Sequence, residues 1–375
     1  MDLQKIRDQL DVIDRDIVRL FEERMKLVGE VAEFKIETGK PVFDKAREQA
    51  KIAAVRGLAH GDFNEQAAQE LFTQLMTISR RYQYRLLEQH GKKAAVGFTP
   101  VDRIPVENAR VVYQGVEGAY SHEAALAYFG DGAEVFHVKT WEDAMEAVES
   151  EKADYAVIPI ENSSAGAVSD NYDLMLRHDN VIVAEICIPV NHMLLGVCGA
   201  SLDDIRTVYS HPQALMQSGE YLNGRPKWRQ ISVENTAVAA KKIISEQDRS
   251  QAAVASRTAG ELYGLQVLAE GINHNKNNTT RFIILAKEHM YRRDAGKITI
   301  CFELPHKSGT LYNMLGNLIY NGVNMRMIES RPIPGRNWEY RFFVDVEGNL
   351  SDTAIQNALR SVSEEAANMR ILGNY

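Results

Sequence analysis

Leu3, Ile6, Leu10, Ile13, Ile17, Leu20, Leu27, Val31 and Phe34 follow one another in steps of three and four, with Arg24 filling the one place between Leu20 and Leu27. The spacing predicts an apolar seam along a single helix of about nine turns, far longer than the ~12 residues of a typical globular helix. Such a helix needs a partner along its length, so the N-terminal block is expected to be helical and dimeric. Arg24 is costly in that seam unless an anion meets it. Lys35, eleven residues on, lies about three turns further along nearly the same face. The two cations either bind an anion or pair with Glu30 and Glu33 and reach solvent.

Past Gly39–Lys40–Pro41, the spacing of Asp44, Arg47 and Glu48 places them on one face of a second helix. They either bridge one another there or line a site. Ser79 and Gln83 stand one turn apart on a third long helix, from about Asn64 to Gln89. Residues 1–90 therefore read as a helical domain, and residues 91–108, with Pro100 and Pro105 and little periodicity, as a linker.

The texture then changes. Over residues 109–288, β-rich runs (ARVVYQG, YAVIPIE, NVIVAEICIPV, RFIILAK) alternate with helical ones, which predicts an α/β domain with a largely parallel sheet. Residues 297–375 read strand, helix, strand, strand, helix, strand, a βαββαβ module of the ferredoxin-like α+β type. Four polar clusters stand at strand-to-helix or loop-to-strand junctions in the middle block. GVEGAYS opens a helix with Ser121 as its expected N-cap, and its backbone amides suit a carboxylate or phosphate. It lacks the Lys–Ser/Thr ending of a P-loop. PIENSSAG sets Glu161, Asn162, Ser163 and Ser164 at a strand's carboxyl end, where open α/β sheets bind ligands. YSHPQALMQ carries Ser210, His211, Gln213 and Gln217, and NNTTRFIIL carries Thr279, Thr280 and Arg281. No G-x-S-x-G elbow supports a serine hydrolase.

A net charge of -8 argues against a nucleic-acid partner, which needs excess Lys and Arg. Cys187, Cys198 and Cys301 are scattered, so they are expected to be reduced, buried thiols in a cytoplasmic protein. No His/Cys cluster has zinc spacing, and neither a metal nor a cofactor is expected. No run approaches the ~18 apolar residues of a membrane span.

Taken in order and spacing, IRDQLDVID, ERMKLVGEVAEFK, KPVFDKAREQ and the Ser79/Gln83 helix resemble the all-helical chorismate mutases, dimers of interlocked three-helix chains. The resemblance implies that Arg7, Arg24 and Arg47 clamp the two carboxylates of chorismate, that Lys35 and Gln83 serve its ether oxygen and that Glu48 meets its hydroxyl. Asp44 and Ser79 match further substrate contacts. Arg7 lies seventeen residues before Arg24 and points about a quarter-turn or more away, which fits its donation into the other subunit's site.

Residues 109 to 287 resemble the prephenate dehydratases through GxxGxYS, PIENS, YSHPQ, LYGLQVL and TRF, in that order. This implies two lobes around a cleft, similar to type-2 periplasmic binding proteins, with hinges near 188–190 and 265–272. Thr280, directly before Arg281–Phe282, matches the family's essential threonine and becomes the donor to the departing hydroxyl of prephenate. Ser121, Glu161, Asn162, Ser163, Ser210 and Gln217 are the expected substrate-binding residues, with Arg281 on a substrate carboxylate. Glu161 is left as acid, orienter or structural residue.

Residues 297–375 resemble the ACT domain, an amino-acid-sensing module, through Glu329–Ser330–Arg331–Pro332. Gly309–Thr310–Leu311–Tyr312 keeps only the glycine and leucine of the family's Gly-Ala-Leu-Val turn. The resemblance implies an L-phenylalanine site that includes Gly309, Leu311, Glu329, Ser330 and Arg331. The three resemblances in series imply an enzyme of phenylalanine biosynthesis. It converts chorismate to prephenate and prephenate to phenylpyruvate, works as a homodimer or higher oligomer and is inhibited by phenylalanine. Two other readings stand beside it: a dehydratase that prefers arogenate, and a non-catalytic sensor of periplasmic-binding-like fold.

Overall fold

The structure, a computed structural model, describes residues 2–91 and 97–375. It forms two compact units. One comprises Met1–Val96, Glu303–Asn324 and Leu350–Met369, the other Gly97–Phe302, Met325–Asn349 and Arg370–Tyr375.

In the first unit, α1 (Leu3–Thr38) begins at Asp2, whose carboxylate accepts from the Gln4 and Lys5 amides and satisfies donors that the first turn leaves open. It ends at Gly39, whose φ of 70° gives the left-handed turn that glycine adopts without strain. Asp44 caps α2 (Lys45–Arg56) in the same way, and α3 (Asp62–Gln89) follows. Both α1 and α2 pack on α3. The stripe that α1 turns to the chain's own interior is Arg24, Val28, Ala32 and Lys35, with Val28 and Ala32 buried. Arg24, in register with the apolar seam, turns its guanidinium inward to Ser79 on α3. The seam itself, Leu3 to Phe34, remains exposed, with Leu3 and Leu27 each at 61%. The helices Thr310–Ile319 and Thr353–Glu365 belong to this unit, the second packed against α3.

The second unit holds two main sheets. One has five strands, ordered Gln266–Ala269, Met193–Gly196, Gln251–Ala255, Thr207–Ser210 and Arg229–Ser232. The larger has ten. From one edge it runs Met325–Pro332, Tyr340–Glu347, Lys297–Leu304, Ala367–Asn374, Val181–Pro189, Thr279–Ala286, Tyr155–Asn162, Arg110–Gln114 and Glu134–Val138, with Gly166–Ala167 beside Tyr155–Asn162. These sheets are mixed, where a largely parallel one was expected. Thr279–Ala286 returns from the far lobe and inserts antiparallel to both Tyr155–Asn162 and Val181–Pro189. The outgoing crossing follows Pro189. The return falls after Ala269, because Gln266–Ala269 is itself an edge strand of the smaller sheet.

Central strands of the larger sheet are apolar on both faces, as burial between two layers requires. Val112, Ile158, Ile182 and Ile283 face one core, and Val111, Val157, Val183, Phe282 and Ile284 face the other. The C-terminal block shows the expected order strand, helix, strand, strand, helix, strand.

Of the expected linker over 91–108, residues 92–96 lie outside the described residues, and Thr99–Val101 pairs in parallel with Met290–Arg292. The expected thiol burial holds only for Cys301. Cys187, near the end of its strand, and Cys198, in the turn after Met193–Gly196, are exposed. Among the described residues, no helix is long and apolar enough to cross a membrane.

Candidate functional site

In the first unit, the Arg24 guanidinium donates to Ser79 Oγ at 2.5 Å and to the Leu75 carbonyl at 3.5 Å. Lys35 Nζ donates to the Val42 carbonyl at 2.7 Å. Neither cation pairs with Glu30 or Glu33. Burial lowers the pKa of both, and the Arg47 charge lowers that of Lys35 further, so each cation gains from an incoming anion. Gln83 is buried; its Nε2 reaches the Ser79 carbonyl at 3.3 Å, and its Oε1 has no partner. Arg24 and Ser79 therefore meet where α1 packs on α3, with Gln83 one turn beyond Ser79 and Lys35 held at the Val42 carbonyl.

The other expected mutase residues are placed differently. Asp44 spends its carboxylate on the Arg47 amide at 3.0 Å as the cap of α2, and Asp44 and Arg47 are exposed. Glu48 is ion-paired to Arg80, and burial pushes its carboxyl pKa up against the pull of that arginine. Arg80, 5% exposed, also holds Glu365 of the helix Thr353–Glu365 at 2.5 Å. Sequence reasoning passed over Arg80, although a charge between Met76 and Tyr84 on the buried face of α3 was a readable signal. Arg7 is exposed on α1, about 25 Å along the helix from Arg24 at 1.5 Å per residue. It cannot share that residue's site within one chain.

In the second unit, a β-bulge sets the geometry. Thr280 pairs with Asn162 and Arg281 with Glu161, but Phe282 pairs with Pro159, so Ile160 is the extra residue. A bulge reverses which side of the sheet the following residues face, and Pro159 is tolerated there because it has no N–H to lose. Asn162 is thereby turned to the face of Thr280, and Glu161 to the face of Arg281. Asn162 Nδ2 donates to Thr280 Oγ1 at 2.9 Å. Asn162 Oδ1 accepts from the Ser164 and Ala165 amides, each at 3.0 Å, which fixes the orientation of the side-chain amide. Because Thr280 Oγ1 accepts from Asn162, its own proton is free to be donated away from the sheet. Ser163 Oγ accepts from the Thr279 amide at 2.9 Å and ties the two segments together.

Arg281 does not face this site. It lies among Glu161 (3.2 Å), Glu185 (3.3 Å) and Asp345 (3.0 Å), which corrects its expected pairing with a substrate carboxylate. Period-two alternation puts it on the opposite face from Thr280, and three protein carboxylates already surround it. Glu161 is its structural partner. Arg281→Met should therefore lower the stability of this unit by about 3–5 kcal/mol, because it leaves buried charge uncompensated. Calorimetry checks this; a fully stable variant with only a raised KM for substrate would restore the binding role.

The remaining expected residues divide. Ser121 is not the N-cap: the helix Tyr120–Phe129 starts one residue earlier with Ala119 at that position, and Ser121 is buried inside it. The Gly118 amide is taken by His122 Nδ1 at 3.1 Å. Gly118 itself has φ +83°, and an added Cβ would come within 3.0 Å of Ala259 Cα, so the glycine serves close packing. Ser210 is fully buried and donates to the Val254 carbonyl at 2.6 Å, facing the interior. Gln217 is bound to His192, which in turn meets Tyr120; sequence reasoning singled out neither of these partners.

In the C-terminal block, Gly309 begins the helix Thr310–Ile319 with φ 80°, and Leu311 is half-buried. Glu329, Ser330 and Arg331 lie on the strand Met325–Pro332. Arg331 is ion-paired at 2.6 Å with Asp173 on the helix Ser169–Arg177.

Family models match at the same places: chorismate mutase type II over residues 6–84 and prephenate dehydratase over residues 111–290. The bifunctional chorismate mutase/prephenate dehydratase of Enterobacter agglomerans is 34% identical over 381 residues, covering 100% of this chain and 95% of that protein. A chloroplastic arogenate dehydratase/prephenate dehydratase of Arabidopsis thaliana is 42% identical over 282 residues, 71% of each. The crystal structure of the prephenate dehydratase of Arthrobacter aurescens in complex with L-Phe aligns with a TM-score of 0.66 at 27% identity, over 71% of this chain and 89% of that one. With both domain families in series and full-length similarity of this extent, the chain belongs to the bifunctional chorismate mutase/prephenate dehydratase family.

Proposed function

We propose that the first unit rearranges chorismate at the α1–α3 seam and that the second dehydrates its product at Thr280. The domains that carry these steps run over residues 1–90 and 109–288, with a regulatory ACT domain of ferredoxin-like fold over 297–375.

Chorismate rearranges in one pericyclic step that moves no proton. Negative charge grows on the ether oxygen as the C–O bond breaks, so catalysis requires a held conformer and donors placed at that oxygen. Arg24 and Arg47 hold carboxylates, Lys35 and Gln83 donate to the ether oxygen, and Glu48 takes the hydroxyl, with Asp44 and Ser79 orienting. Arg7 acts in the partner's site. The exposed seam of α1 supports a homodimer, because all nine of its apolar residues are exposed among the described residues.

Prephenate loses its ring carboxylate as CO2 and its 4-hydroxyl as water, and aromatisation drives the reaction. The protein has to assist hydroxide departure. The observation that carries this reading is the Asn162 amide, locked by two backbone donors and aimed at Thr280 Oγ1. It holds the threonine oxygen as an acceptor and directs the threonine proton outward, to the leaving hydroxyl. Ser163 and Gln217 complete the substrate site, while Ser121 and Ser210 shape it from within.

Phenylalanine acts through the C-terminal block at Gly309, Leu311, Glu329 and Ser330. The ion pairs Arg331–Asp173 and Arg281–Asp345 connect its strands to the dehydratase. The relative whose name includes arogenate supports a second reading, in which that aminated analogue is also dehydrated. The test is a time course of the purified chain on chorismate, following prephenate and phenylpyruvate with and without phenylalanine. Both products, with phenylpyruvate suppressed by phenylalanine, are expected; prephenate alone would turn the assay to arogenate.

A further inference from the structure

His192 stands between Asn191 and the apolar run Met193–Leu195 and is 2% exposed, yet both of its ring nitrogens are engaged. Nδ1 lies 3.1 Å from the Tyr120 hydroxyl, and Nε2 lies 3.0 Å from Gln217 Oε1. The three side chains come from the helix Tyr120–Phe129, the crossing after Val181–Pro189 and the helix Pro212–Gln217, so the chain ties both lobes together.

The site lies beside them. Thr280 shares its face of the sheet with Phe282 and Ile284, and the helix Tyr120–Phe129 packs on that same face. Thr280 pairs with Ile188, and Val190, two residues before His192, donates its amide to the Asn278 carbonyl at 2.8 Å.

The direction of the hydrogen bonds follows from elementary accounting. A charged imidazolium without a carboxylate partner is costly at this depth, and burial lowers the pKa of His192, so the ring is neutral. Gln217 Oε1 can only accept, so Nε2 carries the ring proton and Nδ1 must accept from Tyr120. This pair is the one side-chain hydrogen bond of Gln217 among the described residues, so the Gln217 Nε2 donors are left for a ligand.

We infer that His192 is a positioning residue of the dehydratase: with Tyr120 behind it, it holds the Gln217 amide by its oxygen and presents the amide nitrogen to the substrate. The inference rests on the reading of Gln217 as a substrate-orienting residue. Asn162 is held on the same plan, its oxygen fixed by the protein and its nitrogen directed at a reacting group.

The test uses the full chain with Gln217→Ala, His192→Phe, His192→Gln and the His192→Phe/Gln217→Ala double variant. Values of kcat and KM are measured on prephenate, and thermal unfolding followed by calorimetry checks that each variant is folded. Gln217→Ala and His192→Phe should each lower dehydratase kcat/KM by roughly 10- to 100-fold, the loss of one or two good hydrogen bonds. The loss should divide between kcat and KM in the same way for both. His192→Gln, which keeps an N–H donor, should recover most of it. The double variant should lose no more than Gln217→Ala alone, because residues that act through one another are not additive. A double loss equal to the product of the single losses would overturn the relay. Wild-type activity in Gln217→Ala would instead remove Gln217 from the site, a failure of the parent reading. If His192→Phe does not fold, Tyr120→Phe replaces it in the same cycle, with the same two outcomes.

Discussion

Thr280→Ala should lower the dehydratase kcat by about 100- to 10,000-fold, the range supplied by one positioned proton donor, and leave the mutase rate unchanged. The expectation follows from the local geometry. Asn162 donates to Thr280 Oγ1 at 2.9 Å, so the threonine proton points away from Asn162, and alanine removes it without disturbing the strand pairing. Thr280→Ser, which keeps the hydroxyl, should retain most of the activity. Steady-state rates on prephenate decide the matter; an alanine variant as fast as the parent would remove Thr280 from the mechanism.

Arg24→Ala should lower the mutase rate by about 100- to 1,000-fold, the loss seen when a donor to developing charge is deleted, with dehydratase activity retained. Arg24 is desolvated, and its strongest partner is the neutral hydroxyl of Ser79. It has no carboxylate partner among the described residues, which leaves it available to a carboxylate of the substrate under the proposed reading. Arg24→Lys should not rescue it, because a point charge does not reproduce the guanidinium's paired donors. Equal loss of both activities would mean that the two sites are not separate.

The helical block was legible because its signals are local: the turn at Gly39–Lys40–Pro41 and a three-four repeat. The repeat placed Arg24 in register with the seam, and only packing shows that its guanidinium reaches Ser79 on α3, that Val28 and Ala32 are buried and that Lys35 reaches the Val42 carbonyl. In the α/β unit, the ends of the strands were readable, and Asn162 and Thr280 lie together on neighbouring ones.

What sequence could not supply was register. The bulge at Ile160 decides which of Glu161 and Asn162 faces the site. The three carboxylates around Arg281 stand 120, 96 and 64 residues away in the chain. Strand alternation alone already separated Arg281 from Thr280, a signal present in TTRF and left unused. The mixed sheet escaped for the same reason: an inserted antiparallel strand has the same apolar texture as a parallel one. His192 was hidden by its apolar surroundings, where a lone histidine gives no pattern.

We propose that one chain carries two catalytic centres, at Arg24 and at Thr280. An equal mixture of the Arg24→Ala and Thr280→Ala variants, given chorismate, tests it most directly. Arg24→Ala alone should yield little product and Thr280→Ala alone should accumulate prephenate, while the mixture should form phenylpyruvate. A mixture that leaves prephenate unconverted would contradict the account, because the dehydratase of the Arg24 variant would then have been lost with its mutase.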